Sequence, residues 1–465
     1  MHRLPRHTHY KDSGLAWVGE IPAHWQTRRN RFLFREIDQR STHGDETHLS
    51  MSQVHGLVPS KHLSRKSLQS ESYAGGKLVE EHDLVLNRLK AHLGVFARAK
   101  QPGIVSPDYT VLRPKASALV PYCESLFKTP MYVAEFRRRT KGIVEGFWRL
   151  YTDDFYDVSA LLPPPEEQNQ IIAYLRAHNA HIARFIKAKH DLIALLTEQK
   201  LRIIDHAVTR GLDASVKLKP SNIEWLGEVP EHWVAKPLKR WVCINASTLG
   251  ENCDPDFEFR YVDIGSVKTG RLTKEPERIC FSAAPSRARR VLHRGDTIIS
   301  TVRTYLKAVW YVNEDTDDLI ASTGFAVLTP GPDVEPEYLG YVIQSSPFVS
   351  RVTANSIGIA YPAISETVLG RFSIAMPPTM AEQRAIIAHI QSKGAPLDTA
   401  IEQAMSEIKL IREYRDRLIT DVVTGQMDVR GWKPTPDDIV SDDDLASLDV
   451  DEAETPDEEA VDDSD

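Results

Sequence analysis

The chain has few cysteines, no long apolar run and no apolar leader. Its 465 residues include four cysteines, at positions 123, 243, 253 and 280, and their spacing fits neither a disulfide framework nor a CxxC metal site. No apolar run approaches the ~18 residues of a membrane span, and residues 1–7 have no apolar core behind their charges, unlike a signal peptide. These absences predict reduced, buried cysteines and a cytoplasmic protein.

The motifs of common catalytic sites are also absent. The sequence has no GxxxxGK phosphate loop, no GxGxxG dinucleotide loop and no HExxH zinc helix. It also lacks the Asn/Asp-Pro-Pro-Tyr/Phe tetrapeptide of amino-methyltransferases. The 17 histidines are dispersed along the chain. We therefore predict no catalytic residue and no metal site.

Acidic residues are concentrated at the C-terminal end. The net charge of −8 reflects 65 Asp and Glu against 57 Lys and Arg, yet residues 437–465 hold 15 acidic residues and no Lys or Arg. The rest of the chain is mildly basic, with a net charge of +7. We predict a disordered acidic tail over 432–465. It is either a solubility tail or a DNA mimic that screens the basic body.

Two motifs occur twice, in the same order. An opening motif, Trp-x-Gly-Glu-x-Pro-x-His-Trp, occupies 17–25 and returns 208 residues later at 225–233. A Pro-rich turn followed by Glu-Gln and Ile-Ile-Ala occupies 163–173 and returns at 377–388. Two similar halves predict a pseudo-two-fold molecule, which suits a protein that reads two separated half-sites on a duplex. We interpret the tryptophans as buried anchors and the histidines as packing or hydrogen-bonding groups.

Between its two motifs, each half has a stretch whose sequence pattern predicts short strands separated by turns. Residues 83–87 align with 296–300 at an offset of 213, and Tyr109–Pro114 aligns with Phe325–Pro330 at an offset of 216. Both pairs are β-rich runs preceded by turns, while the flanking residues differ. This pattern predicts two α+β modules of one fold with different surface chemistry.

A heptad pattern follows each module. Apolar residues recur alternately four and three positions apart from 171 to 203 and from 397 to 422, which is typical of a coiled-coil seam. Residues 394–396, Gly-Ala-Pro, should interrupt the second helical segment, and by symmetry a break near Asn179 is expected in the first. A helix of about 28 residues spans ~42 Å, so an antiparallel pair would hold the modules a little more than one DNA turn apart. The residues predicted for helix pairing or partner binding are Ile182, Phe185, Leu192, Leu196, Ile401, Ile408, Ile411 and Leu418.

Candidate DNA-binding residues lie on turns of the two modules. One group follows the strands at 83–87 and 296–300, where Lys90 aligns with Arg303. A second group lies in loops beside Gly146 and Gly358. Lys and Arg bind phosphates, and Arg can pair bidentately with guanine. The predicted DNA-binding residues are Arg88, Lys90, Arg149, Arg303, Tyr305, Lys307 and Tyr361. Basic clusters at 137–141 and 287–290 are either solvated faces or further DNA contacts.

With these motifs in this order, the chain resembles the specificity (S) subunits of type I restriction-modification systems. The resemblance rests on the opening motifs, on the Glu-Gln and Ile-Ile-Ala segments, and on the Thr-containing turns after the helices at 208–213 and 423–428. Relative to the second turn, Arg210 takes the place of Gly425. The resemblance covers residues 10 to 431, and the acidic tail lies outside it.

The resemblance implies a fold class and a domain order. It implies an α+β protein with two pseudo-symmetric target recognition domains, at 1–162 and 213–376, joined by two long antiparallel coiled-coil helices. The helical spacers would lie at 163–212 and 377–431, followed by the acidic tail at 432–465.

The resemblance also implies partners. Each recognition domain would read one half of a bipartite, asymmetric site on double-stranded DNA. The helices would dock two methyltransferase (M) subunits that use S-adenosylmethionine, and motor-nuclease (R) subunits would cleave unmethylated DNA with ATP and magnesium in defence against phage. This chain would bind none of those cofactors and would not be an enzyme. Two alternatives stay open: a stand-alone DNA-modifying enzyme and a protein-binding coiled-coil scaffold.

Overall fold

The computed structural model describes residues 4–52, 56–62, 73–115, 120–142, 148–223, 225–314, 318–358 and 361–438. It divides into two units. The first unit comprises Met1–Asp191 with Met405–Asp465, and the second comprises Leu192–Ala404. Two long helices contribute to both units. Among the described residues, no helix combines the length and the apolar character needed to cross a membrane.

The first unit is an α+β module. Its described strands are β1 (Tyr10–Asp12), β2 (Glu20–Pro22), β3 (Gln26–Arg29), β4 (Phe34–Ile37), β5 (Leu49–Ser52), β6 (Gly56–Pro59), β7 (Lys77–Val79), β8 (Leu84–Asn87), β9 (Phe96–Arg98), β10 (Gly103–Val105), β11 (Tyr109–Pro114) and β12 (Ser159–Leu162). Its helices are α1 (Val120–Phe127), α2 (Pro130–Arg139), α3 (Thr152–Tyr156) and the start of α4 (Pro165–Arg210).

The central sheet of the first unit is antiparallel, with strand order β4-β11-β8-β9. Its side chains alternate between two apolar clusters. Leu84 and Leu86 point into a cluster shared with the helices, whereas Val85 packs with Leu49 and Leu57 of the β5–β6 hairpin. Because successive strand residues point to opposite faces, a run that is apolar at every position fits a sheet that is covered on both sides.

The second unit repeats this plan with a larger sheet content. Its described strands are β13 (Leu218–Pro220), β14 (Glu228–Pro230), β15 (Val234–Pro237), β16 (Val242–Ile244), β17 (Glu258–Val262), β18 (Val267–Lys268), β19 (Arg271–Leu272), β20 (Glu277–Cys280), β21 (Ala288–Val291), β22 (Thr297–Ser300), β23 (Val309–Tyr311), β24 (Leu319–Ser322), β25 (Phe325–Pro330) and β26 (Ser373–Met376). Its helices are α5 (Pro336–Gln344), α6 (Ser346–Ala354), α7 (Glu366–Arg371) and part of α8 (Met380–Val423).

The central sheets of the two units have the same topology. The order β16-β25-β22-β23 in the second unit matches β4-β11-β8-β9 in the first. The second unit adds a four-stranded sheet, β20-β17-β24-β21, in which β17 and β24 run parallel. The predicted pair of modules with one fold is therefore confirmed for the central sheets, whereas the additional sheet of the second unit was not predicted. The prediction of buried cysteines holds for Cys123 but is wrong for Cys243, which is exposed.

Both long helices are continuous, which corrects the predicted breaks near Asn179 and at 394–396. The helix α4 has 46 residues and α8 has 44, with Pro396 inside it. A proline removes one backbone hydrogen bond and does not have to end a helix. Here Pro396 is exposed, so water can reach the carbonyl group that it leaves without a donor, while Ile390 and Ile401 are buried on either side of it. At 1.5 Å per residue, the helices extend over about 65–70 Å rather than the predicted ~42 Å.

The long helices run antiparallel within each unit. In the first unit, Lys189 of α4 forms an ion pair with Glu407 of α8, at 2.5 Å. In the second unit, Lys200 forms one with Asp398, at 2.7 Å. In each unit the ends of the two helices also share an apolar core with the module.

The opening motif fastens each module to the start of a long helix. In the first unit, the indole Nε1 of Trp25 donates to Glu167 Oε1 at 3.0 Å, and His24 Nε2 lies 2.7 Å from Glu167 Oε2. The second unit repeats these contacts with Trp233 and His232 around Glu382. Each glutamate lies in the first turn of its helix, where the helix dipole favours a negative charge. The two motifs of each half are thus partners. The predicted hydrogen-bonding role of the histidines is confirmed, and so is the burial of Trp25 and Trp233, whereas Trp17 and Trp225 are only partly buried against their cores.

A glycine with positive φ ends each long helix against the tryptophan of the opening motif. Gly211, with φ of +71°, lies beside Trp233, and Gly425, with φ of +77°, lies beside Trp25. Gly211 therefore plays the role of Gly425, which corrects the alignment of Arg210 with that glycine by one residue. In the first unit, the end of α8 closes onto the N-terminal segment, because Tyr10 donates its hydroxyl hydrogen to the Gly425 carbonyl and Asp428 N–H donates to the Pro5 carbonyl.

Most of the predicted acidic tail, 439–465, lies outside the described residues. Its first acidic residues are attached to α4. Asp438 contacts His181 at 2.7 Å and accepts hydrogen bonds from Thr435. These interactions, led by the hydrogen bond from the Thr435 backbone N–H, lower the pKa of Asp438 to about 2.

Candidate nucleic-acid interface

Each module presents two adjacent loops at matching positions of its central sheet. In the first module they are 88–94, between β8 and β9, and a loop after α2 of which 141–142 and 148–149 are described. In the second module they are 301–307, between β22 and β23, and a loop after α6 of which 357–358 and 361–363 are described. We call these loop pair 1 and loop pair 2.

The same backbone contact joins the loops of each pair. The Leu150 N–H donates to the Arg88 carbonyl at 3.1 Å, and the Ile364 N–H donates to the Thr301 carbonyl at 2.8 Å. The second loop of each pair is closed by backbone pairing, between Lys141 and Arg149 and between Ile357 and Ala363. The shared fold therefore places two variable loops side by side in both modules.

Loop pair 1 carries three of the predicted DNA-binding residues. Arg88 is half-buried, and its Nε donates to the Asp108 carbonyl at 2.7 Å, which holds the side chain beside β11. Lys90 and Arg149 are exposed. Residues 143–147, which include Gly146, lie outside the described residues.

Loop pair 2 brings the other four predicted residues together. The guanidinium carbon of Arg303 lies 4.9 Å from the ring centroid of Tyr361, which is a cation–π contact between the two loops. Tyr361 is 64% exposed and Tyr305 is 52% exposed, and Lys307 is exposed as well. The side chain of Thr304 donates to Ser356 at 2.8 Å and ties the loops together below this surface.

The backbone of loop pair 2 is strained at two of its cations. Arg303 has φ of +51° and Lys307 has φ of +52°, on either side of the 3-10 turn Thr304–Leu306. At the offset of 213, Lys307 corresponds to Gly94, which has φ of +75°. A lysine costs more than a glycine in this conformation. Because observed strain is a pointer to function, the lysine and arginine are candidates for a binding role rather than for packing.

Exposed apolar residues accompany the cations, and the sequence analysis missed them. Ile357 is 84% exposed and Leu306 is 40% exposed in loop pair 2, and Leu93 is 50% exposed in loop pair 1. The sequence feature that could have indicated them is an apolar residue beside a glycine in a turn, such as Ile357 before Gly358. Side chains of this kind can contact thymine methyl groups or wedge between base pairs.

Arginines of the two basic clusters, at 137–141 and 287–290, form ion pairs and ring contacts within the modules. Arg138 and Arg139 both bind Glu135, at 2.9 Å and 2.7 Å. Arg290 binds Glu366 at 2.6 Å, and Arg289 lies over the ring of Phe281. These contacts favour the interpretation of the clusters as structural and solvated faces rather than as the main DNA contacts.

The predicted helix-pairing residues differ in burial along the helices. Ile182, Ile401, Ile408 and Leu418 are buried, and Leu196 and Ile411 are partly buried. In contrast, Phe185 and Leu192 are each 39% exposed. Leu195 and Leu410, at positions outside the predicted seam, are each 63% exposed. Each long helix therefore carries apolar surface that the described residues leave exposed.

These observations define a class of protein: a chain with two similar α+β modules, each presenting a pair of variable loops, joined by long antiparallel helices. No family model matches the chain. A curated relative, the type I restriction enzyme HindI specificity subunit of Haemophilus influenzae, is 23% identical over 181 residues. That alignment covers 37% of this chain and 39% of the relative, so the chain spans about two fifths of the relative's length.

A solved structure shares the fold over most of the chain. That structure was described in connection with complex assembly and conformational transition of the type I R-M system. It superimposes on this chain with a TM-score of 0.57 at 15% sequence identity, and the match covers 88% of this chain and 99% of the other. The HsdS subunit of Thermoanaerobacter tengcongensis is 16% identical over 88% of this chain and 98% of its own, with a TM-score of 0.39. The curated relative bears out the resemblance to type I specificity subunits, and the structure with the TM-score of 0.57 confirms the predicted fold class of two modules joined by two long helices.

Proposed function

We propose that this chain is the non-catalytic subunit that specifies the DNA sequence in a type I restriction-modification complex. Each module reads one half of a bipartite, asymmetric site on double-stranded DNA. The observation that carries the proposal is the matched pair of loops in two modules of one topology, with different side chains in each. Lys90 corresponds to Arg303, Gly94 to Lys307, and Arg149 to Ala363. Equal scaffolds with unequal loops suit two half-sites of different sequence.

The chemistry of the loops supports binding to duplex DNA. Lys90, Arg149 and Lys307 are exposed cations suited to phosphates, and the contacts of Arg303 with Tyr361 hold a guanidinium at the surface where it can reach a base edge. Binding through such cations should weaken steeply as salt increases, because phosphate contacts release counterions. A protein-binding scaffold would not show this dependence.

The uncovered apolar residues of the long helices support docking of partner subunits. Leu195 and Leu410 are each 63% exposed, and exposed apolar surface on a helix is typical of an interface. The partners proposed are two methyltransferase subunits, which carry S-adenosylmethionine, and motor-nuclease subunits, which use ATP and magnesium. In this proposal S-adenosylmethionine, ATP and magnesium are bound by the partner subunits and not by this chain, and the assembled complex acts in the cytoplasm against unmethylated phage DNA.

The proposal is tested by exchanging one module. The chain is co-expressed with the methyltransferase encoded beside it, and methylated adenines are mapped by long-read sequencing. Replacing residues 26–160 with the corresponding segment of another specificity subunit should change one half of the methylated site and leave the other half intact. A methylome that the exchange leaves unchanged would refute the proposal.

A matched pair of point variants tests the loops themselves. Lys90→Ala should weaken recognition in one half-site and Arg303→Ala in the other, with a loss of about 1–3 kcal/mol for a base-reading arginine. Binding to duplexes that carry single substitutions in either half distinguishes the two. If both variants lose affinity for all duplexes equally, the loops bind phosphate without reading sequence.

A further inference from the structure

A buried histidine lies beside the contact between the opening motif and α4 in the first unit. His7 has a side chain that is 2% exposed, and its Nε2 lies 3.8 Å from Glu167 Oε1. Its other nitrogen, Nδ1, lies 3.7 Å from Asp428 and has no hydrogen-bond partner in the part of the chain that the structure describes. A buried polar atom without a partner costs about 1–3 kcal/mol, which favours the tautomer with its proton on Nδ1, directed toward Asp428. The other nitrogen, Nε2, then presents its lone pair toward the Glu167 carboxylate.

The equivalent contact in the second unit contains no counterpart of His7. There Glu382 accepts the same hydrogen bonds from Trp233 and His232. At the offset of 208, the position of His7 is taken by Ser215, which instead bonds to Asp213. The second unit therefore makes the same contacts between tryptophan, histidine and glutamate without an equivalent of His7.

We propose that His7, His24 and Glu167 form a binding site for a divalent transition metal, with Zn²⁺ as the expected ion. Their ligand atoms all lie within 4.8 Å of one another. Two imidazoles and one carboxylate are a ligand set that zinc uses in proteins. In a tetrahedral site with ligands near 2.0 Å from the ion, neighbouring ligand atoms lie about 3.3 Å apart, so small side-chain rotations bring these groups into place.

The surroundings already contain the contacts that orient metal ligands. With Nε2 of His7 on the ion, its Nδ1–H points toward the Asp428 carboxylate, 3.7 Å away. The indole of Trp25 donates to Glu167 Oε1 at 3.0 Å and holds that carboxylate in place. Hydrogen bonds of this kind fix ligand orientation in metal sites. His24, whose side chain is 37% exposed, provides the path for the ion and leaves a fourth position for water.

Such an ion would join three separate parts of the first unit. His7 belongs to the N-terminal segment, His24 to the opening motif and Glu167 to α4, while Asp428 follows α8. Because the metal binds these groups together only in the folded chain, its binding free energy adds to the stability of the folded state. Metal binding at this site does not depend on whether the chain binds DNA, so this inference is independent of the proposed function.

The test uses the full chain, stripped with a chelator and then titrated with Zn²⁺ or Co²⁺. We expect one ion per chain by equilibrium dialysis and elemental analysis. The variants His7→Gln and His24→Gln should lose at least about 100-fold in affinity, and Asp428→Asn about 10-fold, the range typical of an orienting group. His232→Gln, in the equivalent position of the second unit, is the matched control and should bind the ion as the wild type does.

The Co²⁺ spectrum identifies the ligands, since cysteine thiolates give charge-transfer absorption and imidazole and carboxylate ligands do not. Zn²⁺ should also slow hydrogen exchange at residues 5–9 and 20–25. The proposal is overturned if the wild-type chain binds no ion at micromolar Zn²⁺, if His7→Gln binds it equally well, or if the spectrum shows thiolate ligation. The Asp428→Asn variant keeps the test decisive even if His7→Gln fails to fold.

Discussion

The glycines that end the two long helices offer a test of how each module is held. Gly211 and Gly425 have nearly the same φ, of +71° and +77°, but unequal surroundings. A Cβ at Gly211 would lie 3.5 Å from Trp233 and 3.6 Å from Pro230, which is ordinary contact. A Cβ at Gly425 would lie 2.4 Å from Pro22 and 3.1 Å from Trp25. We therefore predict that Gly425→Ala is more destabilising than Gly211→Ala.

The expected magnitudes follow from strain and from overpacking. Each alanine is forced into the left-handed region, which costs about 1–2 kcal/mol. Only Gly425→Ala adds a clash against Pro22, a ring closed on the backbone that cannot rotate away, and such overpacking costs about 1–3 kcal/mol more. The free energy of unfolding should thus fall by about 1–2 kcal/mol in Gly211→Ala and by about 2–5 kcal/mol in Gly425→Ala.

Hydrogen exchange measured by mass spectrometry resolves the two units, which a single unfolding curve does not. Peptides over 418–429 and 20–25 report on the first unit, and peptides over 204–212 and 228–234 on the second. A difference of about 2 kcal/mol corresponds to roughly a 30-fold loss of protection. Each variant should affect its own unit, so each serves as the control of the other.

Equal losses of protection in the two variants would refute the reasoning. That result would mean that backbone strain alone sets the cost and that the end of α8 does not press on Pro22 and Trp25. Loss of protection at 204–212 in Gly425→Ala would contradict the assignment of that glycine to the first unit.

Three further perturbations act on the long helices and the tail. Pro396→Ala should restore a backbone hydrogen bond and raise the free energy of unfolding by up to about 3 kcal/mol, seen as slower exchange over 390–402; unchanged exchange would show that the proline costs the helix nothing. Inserting four residues near Leu192 lengthens α4 by about 6 Å and should alter the half-site gap or abolish methylation, with each half-site sequence unchanged; an unaltered gap in an active complex would contradict a role of the helices as spacers. Deleting 437–465 should raise binding to non-specific duplex if the tail mimics DNA, measured across a salt series; equal binding leaves a solubility role.

Much of the fold could be predicted from sequence periodicity. The β-rich runs predicted the strands β8 and β22, and the heptads predicted the helices α4 and α8. Both are local patterns. The break predicted at Pro396 was wrong, because the cost of a proline was judged without the packing of Ile390 and Ile401 on either side. Local preference is a weak guide when tertiary contacts hold both flanks of a helix.

The candidate loops were only partly predictable. Lys90, Arg303 and Tyr361 were chosen by residue type and alignment, and the structure places Arg303 over Tyr361 although 58 residues separate them. The exposure of Ile357 and the positive φ of Lys307 leave little trace in the sequence, because both depend on how the loop is closed by residues distant in the chain. Whether these seven residues contact DNA remains a prediction.

The sequence by itself determined that this chain is a duplicated protein with two modules and two long amphipathic helices, because repeats and periods are local properties that survive without coordinates. Only the tertiary structure decided what the repeated motifs are for. Trp25 and His24 meet Glu167 across more than 140 residues, as Trp233 and His232 meet Glu382, and the end of α8 rather than the end of α4 closes the first module. His7 becomes a candidate metal ligand for the same reason: its partners come from three segments that only folding brings together.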